Sequence, residues 1–180
     1  VFREALEQLA PDKNFMLQIF ATDLDIRAIE TARKGVYPLN IVSDVSSERL
    51  GRFFIKAEDH YRVNAEIREM VVFAPQNVIR DPPFTKLDIL SCRNLLIYMS
   101  IELQKKLLAM FHYCLAEKGF LLLGSAETHG PQSDLFTAID SKLRIYRRSV
   151  SSESEQLFDF PMALLDAKAT EVEIAFAAVS

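Results

Sequence analysis

Arg93, Asn94 and Tyr98 are the side chains in this sequence that point most clearly to chemistry. The short apolar segment Leu87–Ser91 (LDILS) predicts a buried strand, and it leads directly into CRNLLIY, which contains all three residues. An arginine, an asparagine and a tyrosine so close to one strand end are unusual for a plain strand-to-helix loop, and they indicate a functional site. In the purely structural alternative, Arg93 forms a salt bridge and Tyr98 packs as a half-buried aromatic.

Two further segments place polar side chains after predicted strands. Asp23 comes just after the apolar run 15–21, and a carboxylate at the carboxyl end of a parallel strand can accept both ribose hydroxyls of an adenosine group. In the segment APQNV, Asn77 can present its amide to an adenine edge, and Val78 offers an apolar contact. The alternatives are that Asp23 or Asp25 only caps the next helix, and that Asn77 only favours a turn.

Composition argues against several classes of protein. The 180 residues carry a net charge of −4, so they lack the basic excess that nucleic acid binding requires. No apolar run approaches the roughly 20 residues that span a bilayer, which argues against membrane insertion. Two cysteines far apart in sequence and three scattered histidines favour neither a disulfide framework nor a metal site. We expect a reduced, cytoplasmic protein.

Helical and strand patterns alternate along the chain. Apolar runs predict strands at 15–21, 87–91, 120–123 and 143–147 and a hairpin at 55–63. The segment 67–73 is predicted to be a helix end followed by a further strand. Periodicity and caps predict helices at 1–9, at 25–34 before Gly35, around 50–54 after Ser46 or Ser47, from Ser100 to Gly119, and at 132–138. Alternating strands and helices predict an α/β fold with a mostly parallel sheet.

Five segments, in this order and spacing, resemble CheR-type chemotaxis methyltransferases: FATDLD, KGVYP, PQNV, SCRNLLIY and KGFLLLGSAE. The resemblance implies a Rossmann-like, doubly wound, mostly parallel sheet of the S-adenosylmethionine-dependent methyltransferase type. It also implies a small β-subdomain around 40–70 and an antiparallel edge completed by the last strand and the turn Ser125–Glu127. The implied catalytic domain spans 1–148, and the polar segment that follows predicts a linker and tail at 149–180 towards a further domain.

The resemblance also implies roles for individual residues. Asp23 would hold the ribose of S-adenosylmethionine, and Asn77 and Val78 the adenine. Arg93 and Asn94 would line the nearby cofactor and substrate pocket. Tyr98, with Arg93, would lie beside the methyl group that is transferred.

The implied reaction is methyl transfer from S-adenosylmethionine to glutamate side chains on helices of chemoreceptors or related signalling proteins, with S-adenosylhomocysteine as product. A glutamate carboxylate is already ionised at neutral pH, so the reaction needs no general base. Catalysis would then depend on in-line alignment and on excluding water. The lack of a His–Asp pair or a metal cluster in the sequence is consistent with such an enzyme.

Two features depart from the family pattern. The family's glycine-containing motif, with its acidic residue, and its first strand would precede Val1, as would its small basic helical domain. That strand would lie between the strands at 15–21 and 87–91, so we expect the slot to be filled by another peptide or these two strands to pair directly. In addition, the hairpin stretch 55–61 is short and lacks the glycine-rich turn of members that dock on a receptor's C-terminal peptide, which argues against such tethering.

Three other interpretations compete with this one. The motif DPPF at 81–84 resembles a motif of nucleic-acid amino-group methyltransferases, but here it precedes a strand instead of ending one. A nicotinamide-dependent oxidoreductase would explain Asp23 but leaves the CRN-x-x-IY segment without a role. A non-catalytic sensor or scaffold module of a hybrid signalling protein is the main alternative function.

Overall fold

The computed structural model describes residues 1–13, 15–125, 127 and 134–150. Its helices are α1 Phe2–Leu9, α2 Ile26–Lys34, α3 Ser47–Phe53, α4 Ala65–Glu69 and α5 Ile101–Cys114. Its strands are β1 Ile19–Asp23, β2 Val36–Pro38, β3 Phe54–Lys56, β4 His60–Val63, β5 Val71–Pro75, β6 Leu87–Cys92, β7 Leu115–Leu123, β8 Phe136–Asp140 and β9 Ile145–Arg148. Two 3₁₀ turns lie at Leu39–Ser43 and Leu96–Tyr98. The predicted α/β class is confirmed, in the form of a mixed α/β structure with several small sheets.

The first of two compact units, Val1–Asn77, contains two small sheets. Strands β1 and β5 pair in parallel, with Asp23 opposite Pro75, and α2 packs against both strands. Strands β2, β4 and β3 form an antiparallel sheet in that order, and β3 and β4 form the predicted hairpin. The edge-to-face contacts of Tyr37 and Tyr61 with Phe54 hold this small sheet together.

Helix boundaries follow local capping signals. Asp25 caps α2 by accepting a hydrogen bond from the Arg27 amide, and Gly35 ends that helix with a left-handed φ of 61° that favours glycine. Ser46 caps α3 and Ser100 caps α5 through their hydroxyls, as predicted. Asp25, Ser46 and Ser100 therefore fix where these three helices begin, and Gly35 fixes where α2 ends and β2 can begin.

The second unit, from Val78 onward, is built on a four-stranded sheet in the order β6-β7-β9-β8. Strands β6 and β7 are parallel, and β9 and β8 add an antiparallel edge, as the family resemblance implied. Helix α5 packs on β6 and β7. The buried cluster comprises Cys92, Leu96, Leu107, Leu108, Phe111, Leu115, Leu121, Leu123, Phe136 and Tyr146.

Three element predictions were wrong in part. The first strand begins at Ile19 and not at Phe15, and Met16 is almost fully exposed. Helix α5 ends at Cys114 instead of Gly119, because Leu115 turns into extended backbone and pairs with Leu87. The helix predicted at 132–138 is wrong at residues 136–138, which start β8, while residues 132 and 133 lie outside the described part of the chain.

The two parallel pairs, β1–β5 and β6–β7, belong to different sheets. Direct pairing of β1 with β6, one of the two outcomes expected from the sequence, is therefore not among the ladders of the described residues. The single doubly wound sheet stays a prediction. No helix in the described ranges has the length and apolar character needed to cross a membrane.

Candidate functional site at the carboxyl ends of parallel strands

Asp23 is the last residue of β1, and its side chain is exposed. Its Oδ1 accepts a hydrogen bond from the Asp25 amide at 2.8 Å, and Asp25 Oδ1 accepts one from the Arg27 amide at 2.8 Å. The two carboxylates thus have different tasks, since Asp25 caps α2 while Asp23 shapes the turn before it. An exposed carboxylate fixed in this way at a strand end can bind a hydroxyl-bearing ligand.

The loop after β5 lies beside Asp23. The Gln76 amide donates to the Asp23 carbonyl at 2.9 Å, which extends the parallel ladder beyond the pairing of Asp23 with Pro75. Asn77, one residue further along, has a half-buried side chain. The structure therefore brings Asp23 and the start of the predicted adenine loop to the same end of the first unit's parallel pair.

In the second unit, Arg93 and Asn94 directly follow β6, and both side chains are exposed. Asn94 has a left-handed φ of 58°, a conformation that asparagine adopts more readily than most residues. Its backbone amide donates to the Glu127 Oε1 at 2.7 Å, so a residue 33 positions away in sequence holds this turn. Because both side chains are exposed immediately after the end of β6, Arg93 and Asn94 are accessible to a ligand.

Tyr98 ends the 3₁₀ turn that follows, and its side chain is 54% exposed. The side-chain amide nitrogen Nε2 of Gln104, on α5, donates to the Leu96 carbonyl at 2.9 Å and to the Met99 carbonyl at 3.0 Å. These two bonds fasten the turn to α5 on both sides of Tyr98. The phenol is thus accessible to a ligand on a fixed backbone, and at this exposure it also matches the half-buried aromatic of the structural alternative.

Val78, the other predicted adenine contact, is partly buried and packs against the apolar cluster of the second unit. Its side chain therefore has a structural role, and its part in binding stays a prediction.

The same cluster contains Cys92, and Cys114 is also buried. Burial raises the pKa of Cys92 to about 12 and that of Cys114 to about 11. Since the thiolate is the reactive form of cysteine, neither is a nucleophile near neutral pH.

Sequence reasoning missed Gln104 and the role of Glu127. A polar residue between Leu103 and Leu107 on the apolar side of a helix was the available signal for Gln104. Glu127 was predicted only as part of a turn, and its partner Asn94 is too distant in sequence to be inferred from spacing.

The arrangement is that of an α/β protein that presents polar side chains at the carboxyl ends of parallel strands, where such folds bind small ligands. The family described as "CheR methyltransferase, SAM binding domain" matches residues 4–145. The chain belongs to this family.

Several curated proteins are similar to the chain. An "Uncharacterized 104.1 kDa protein in hypE 3′region" of Rhodobacter capsulatus is 39% identical over 73% of the chain and 14% of its own length. "Putative methyltransferase Cher3" of Pseudomonas putida is 32% identical over 73% of the chain and 52% of its own length. A "Chemotaxis protein methyltransferase" of Vibrio parahaemolyticus is 36% identical over 68% of the chain and 46% of its own length. The chain thus spans about half the length, or less, of these relatives.

Proposed function

We propose that this protein catalyses S-adenosylmethionine-dependent methyl transfer to glutamate side-chain carboxylates of chemoreceptors or related signalling proteins. The observation that carries the proposal is the turn Arg93–Asn94 at the end of β6, in a chain of a family defined by S-adenosylmethionine binding. Three of the relatives that the chain resembles are described as methyltransferases, and their names include chemotaxis proteins.

Several groups at or just after strand ends suit the cofactor. We assign the ribose to Asp23, whose carboxylate is exposed and fixed by the Asp25 amide. Asn77 and Val78 would contact the adenine, and Arg93 and Asn94 the remainder of the cofactor pocket. In this proposal the two parallel pairs are parts of a Rossmann-like, doubly wound sheet, with residues 1–148 as the catalytic domain and 149–180 as linker and tail.

S-adenosylmethionine, when bound, supplies a methyl group activated by a positively charged sulfonium. The acceptor carboxylate is ionised at neutral pH, so no side chain of the protein has to remove a proton. The task of Tyr98 and Arg93 is then to align the acceptor and to keep water away from it, which is where we place the catalytic contribution. This accounts for a candidate site that has polar side chains but no buried acid–base pair among the described residues.

The cofactor assignment is tested by replacing Asp23 with asparagine in the full-length protein. Asp23→Asn keeps an oxygen that accepts the Asp25 amide but removes the charge that would bind the ribose hydroxyls. We expect the affinity for S-adenosylhomocysteine, measured by calorimetry, to weaken by about 1.5–3 kcal/mol, which is roughly tenfold to a hundredfold. The neighbouring Asp25→Asn, which preserves the helix cap, is the matched control. Equal affinity in Asp23→Asn and the unsubstituted protein would remove Asp23 from the site.

The catalytic assignment is tested by kinetics. Tyr98→Phe removes only the exposed hydroxyl, so we expect a lower turnover number for methylation of a receptor glutamate with little change in cofactor affinity. Arg93→Ala is expected to act in the same direction. Tyr113→Phe, which removes an exposed hydroxyl on α5, serves as the control. Unchanged turnover in both Tyr98→Phe and Arg93→Ala would show that neither residue is catalytic.

A non-catalytic sensor or scaffold module is the second candidate. The match to 14% of a 104.1 kDa protein favours it, because domains of this family then occur within much larger chains. A full-length protein that binds S-adenosylhomocysteine but methylates no glutamate would support the module and contradict the enzyme.

A further inference from the structure

Glu127 is the most deeply buried acidic side chain among the described residues, with a relative exposure of 2%. Its backbone amide donates to the Gly124 carbonyl at 3.3 Å, which turns the chain back immediately after β7. The carboxylate thereby comes to lie beside the end of β6, where its Oε1 accepts the Asn94 amide. Cys92, the last residue of β6, pairs with Leu123, the last residue of β7. Glu127 therefore links the ends of two adjacent parallel strands.

The lack of a side chain at Gly124 leaves the space that this carboxylate occupies. A Cβ atom at position 124 would overlap Glu127 Oε2 and would lie 3.2 Å from its Cδ. The glycine is therefore required for close approach and not for an unusual backbone angle. The sequence GSAE at 124–127 thus contains both the acceptor and the space that it occupies.

Burying a carboxylate is costly, and a stabilising contact has to offset that cost. The described contact is the short, charge-assisted hydrogen bond of 2.7 Å from the Asn94 amide. Asn94 is also held at a positive φ, a conformation that needs support from its surroundings. The negative charge of Glu127 additionally contributes to the raised pKa of Cys92, after burial, which is consistent with a carboxylate close to the strand end.

We propose that Glu127 is a positioning residue of the candidate site, which holds the turn Arg93–Asn94 in the conformation that binds the cofactor. This inference rests on the proposed function. Glu127 itself would touch neither cofactor nor acceptor, since its side chain is buried. It acts through the Asn94 backbone and thereby sets the direction in which Arg93 and Asn94 leave β6.

The bond itself is tested by NMR without any ligand. Glu127→Ala removes the acceptor, so we expect faster hydrogen exchange and a changed amide shift at Asn94. Glu127→Gln retains a carbonyl oxygen and should keep the Asn94 amide protected. Glu117→Gln, at an exposed position on β7, is the matched control and should leave Asn94 unchanged. An Asn94 amide that exchanges equally in Glu127→Ala and in the unsubstituted protein would overturn the proposal.

The functional consequence is tested by S-adenosylhomocysteine affinity of the full-length protein, with thermal melts to check that each variant folds. We expect Glu127→Ala to weaken affinity by about tenfold or more, which is the loss expected when one hydrogen bond to a charged group is misplaced. Glu127→Gln should restore most of the affinity. Gly124→Ala, which displaces the carboxylate without changing it, should weaken affinity in the same way.

The outcomes separate this proposal from the proposed function. A folded Glu127→Ala or Gly124→Ala protein that binds with unchanged affinity would overturn the positioning role and leave the cofactor assignment intact. An unsubstituted protein that binds no S-adenosylhomocysteine would overturn the proposed function, and with it the role of Glu127 towards the cofactor. The Asn94 amide would still decide whether Glu127 holds the turn.

Discussion

His112 shows how a single buried residue links the stability of the second unit to pH. The ring is 2% exposed, packs edge-to-face on Phe136, and its Nε2 donates to the Ser149 carbonyl at 3.0 Å. Burial lowers the pKa of His112 below its ordinary value, the positive charge of Arg148 lowers it further, and the bond to Ser149 offsets part of this. The folded protein therefore favours the neutral imidazole.

This shift makes a prediction about stability. Below the ordinary histidine pKa of about 6.5, the unfolded chain binds a proton that the folded chain resists, so stability falls as pH decreases towards the lowered pKa of His112. Above that ordinary value both states are neutral and the full stability is present. We expect thermal melts between about pH 7.5 and 5.5 to show a decreasing midpoint.

Replacing the ring tests this cause. His112→Gln can still donate to the Ser149 carbonyl but does not titrate, so its melting midpoint should change less over the same pH range. His60→Gln, on the hairpin of the first unit, is the control for removal of a histidine. An equally steep pH dependence in His112→Gln would assign the effect to other groups.

Among the elements, α1 contacts the rest of the first unit through several charged pairs. None of its residues is buried, but Glu4 pairs with Arg49 and Glu7 with Arg52, both on α3, and Arg3 pairs with Glu66. The Arg52 guanidinium, followed by Arg3, lowers the pKa of Glu7. A helix attached in this way should be sensitive to salt and to acid.

We predict that α1 detaches from the first unit in high salt and at low pH. The stabilisation from Glu7 is present above the ordinary glutamate pKa of about 4.3 and is lost as pH falls through the lowered pKa of Glu7. Glu7→Gln should reproduce the effect at neutral pH, with faster tryptic cleavage at Lys13 after α1. Glu30→Gln on α2 is the control. Cleavage that is insensitive both to salt and to Glu7→Gln would mean that other contacts hold α1.

Local signals predicted most elements, and long-range contacts explain the errors. Asp25 with Gly35, and Ser100, marked helix ends that the structure reproduces. Residues 115–118 (LAEK) favour a helix by propensity, yet Leu115 pairs with Leu87 and is almost fully buried, so tertiary packing overrides propensity. At the site, the strand-end positions of Asp23 and Arg93 were predictable from the motifs. The contacts of Gln104 and Glu127 that support the site were not predictable from the sequence. The Gln104 contact depends on the geometry of the 3₁₀ turn, and the Glu127 contact joins residues far apart in sequence.

At the scale of the whole molecule, apolar side chains remain exposed on strands of both units. Val72 on β5 and Ile89 on β6 are each more than 40% exposed. Strand β1 is paired only with β5, and β6 only with β7, among the described residues. Unpaired strand edges with apolar side chains are templates for pairing with another chain.

We predict that this chain self-associates through these strand edges. Sedimentation velocity at increasing concentration should show a growing fraction of dimer or larger species. Ile89→Lys places a charge on an unpaired edge and should reduce that fraction, since lysine on edge strands opposes edge-to-edge pairing. Leu143→Lys, at a position 64% exposed in the turn between β8 and β9, is the control for added charge and should have less effect. A chain that stays monomeric at every concentration would contradict this prediction. Association that is unaffected by Ile89→Lys would place the contact elsewhere.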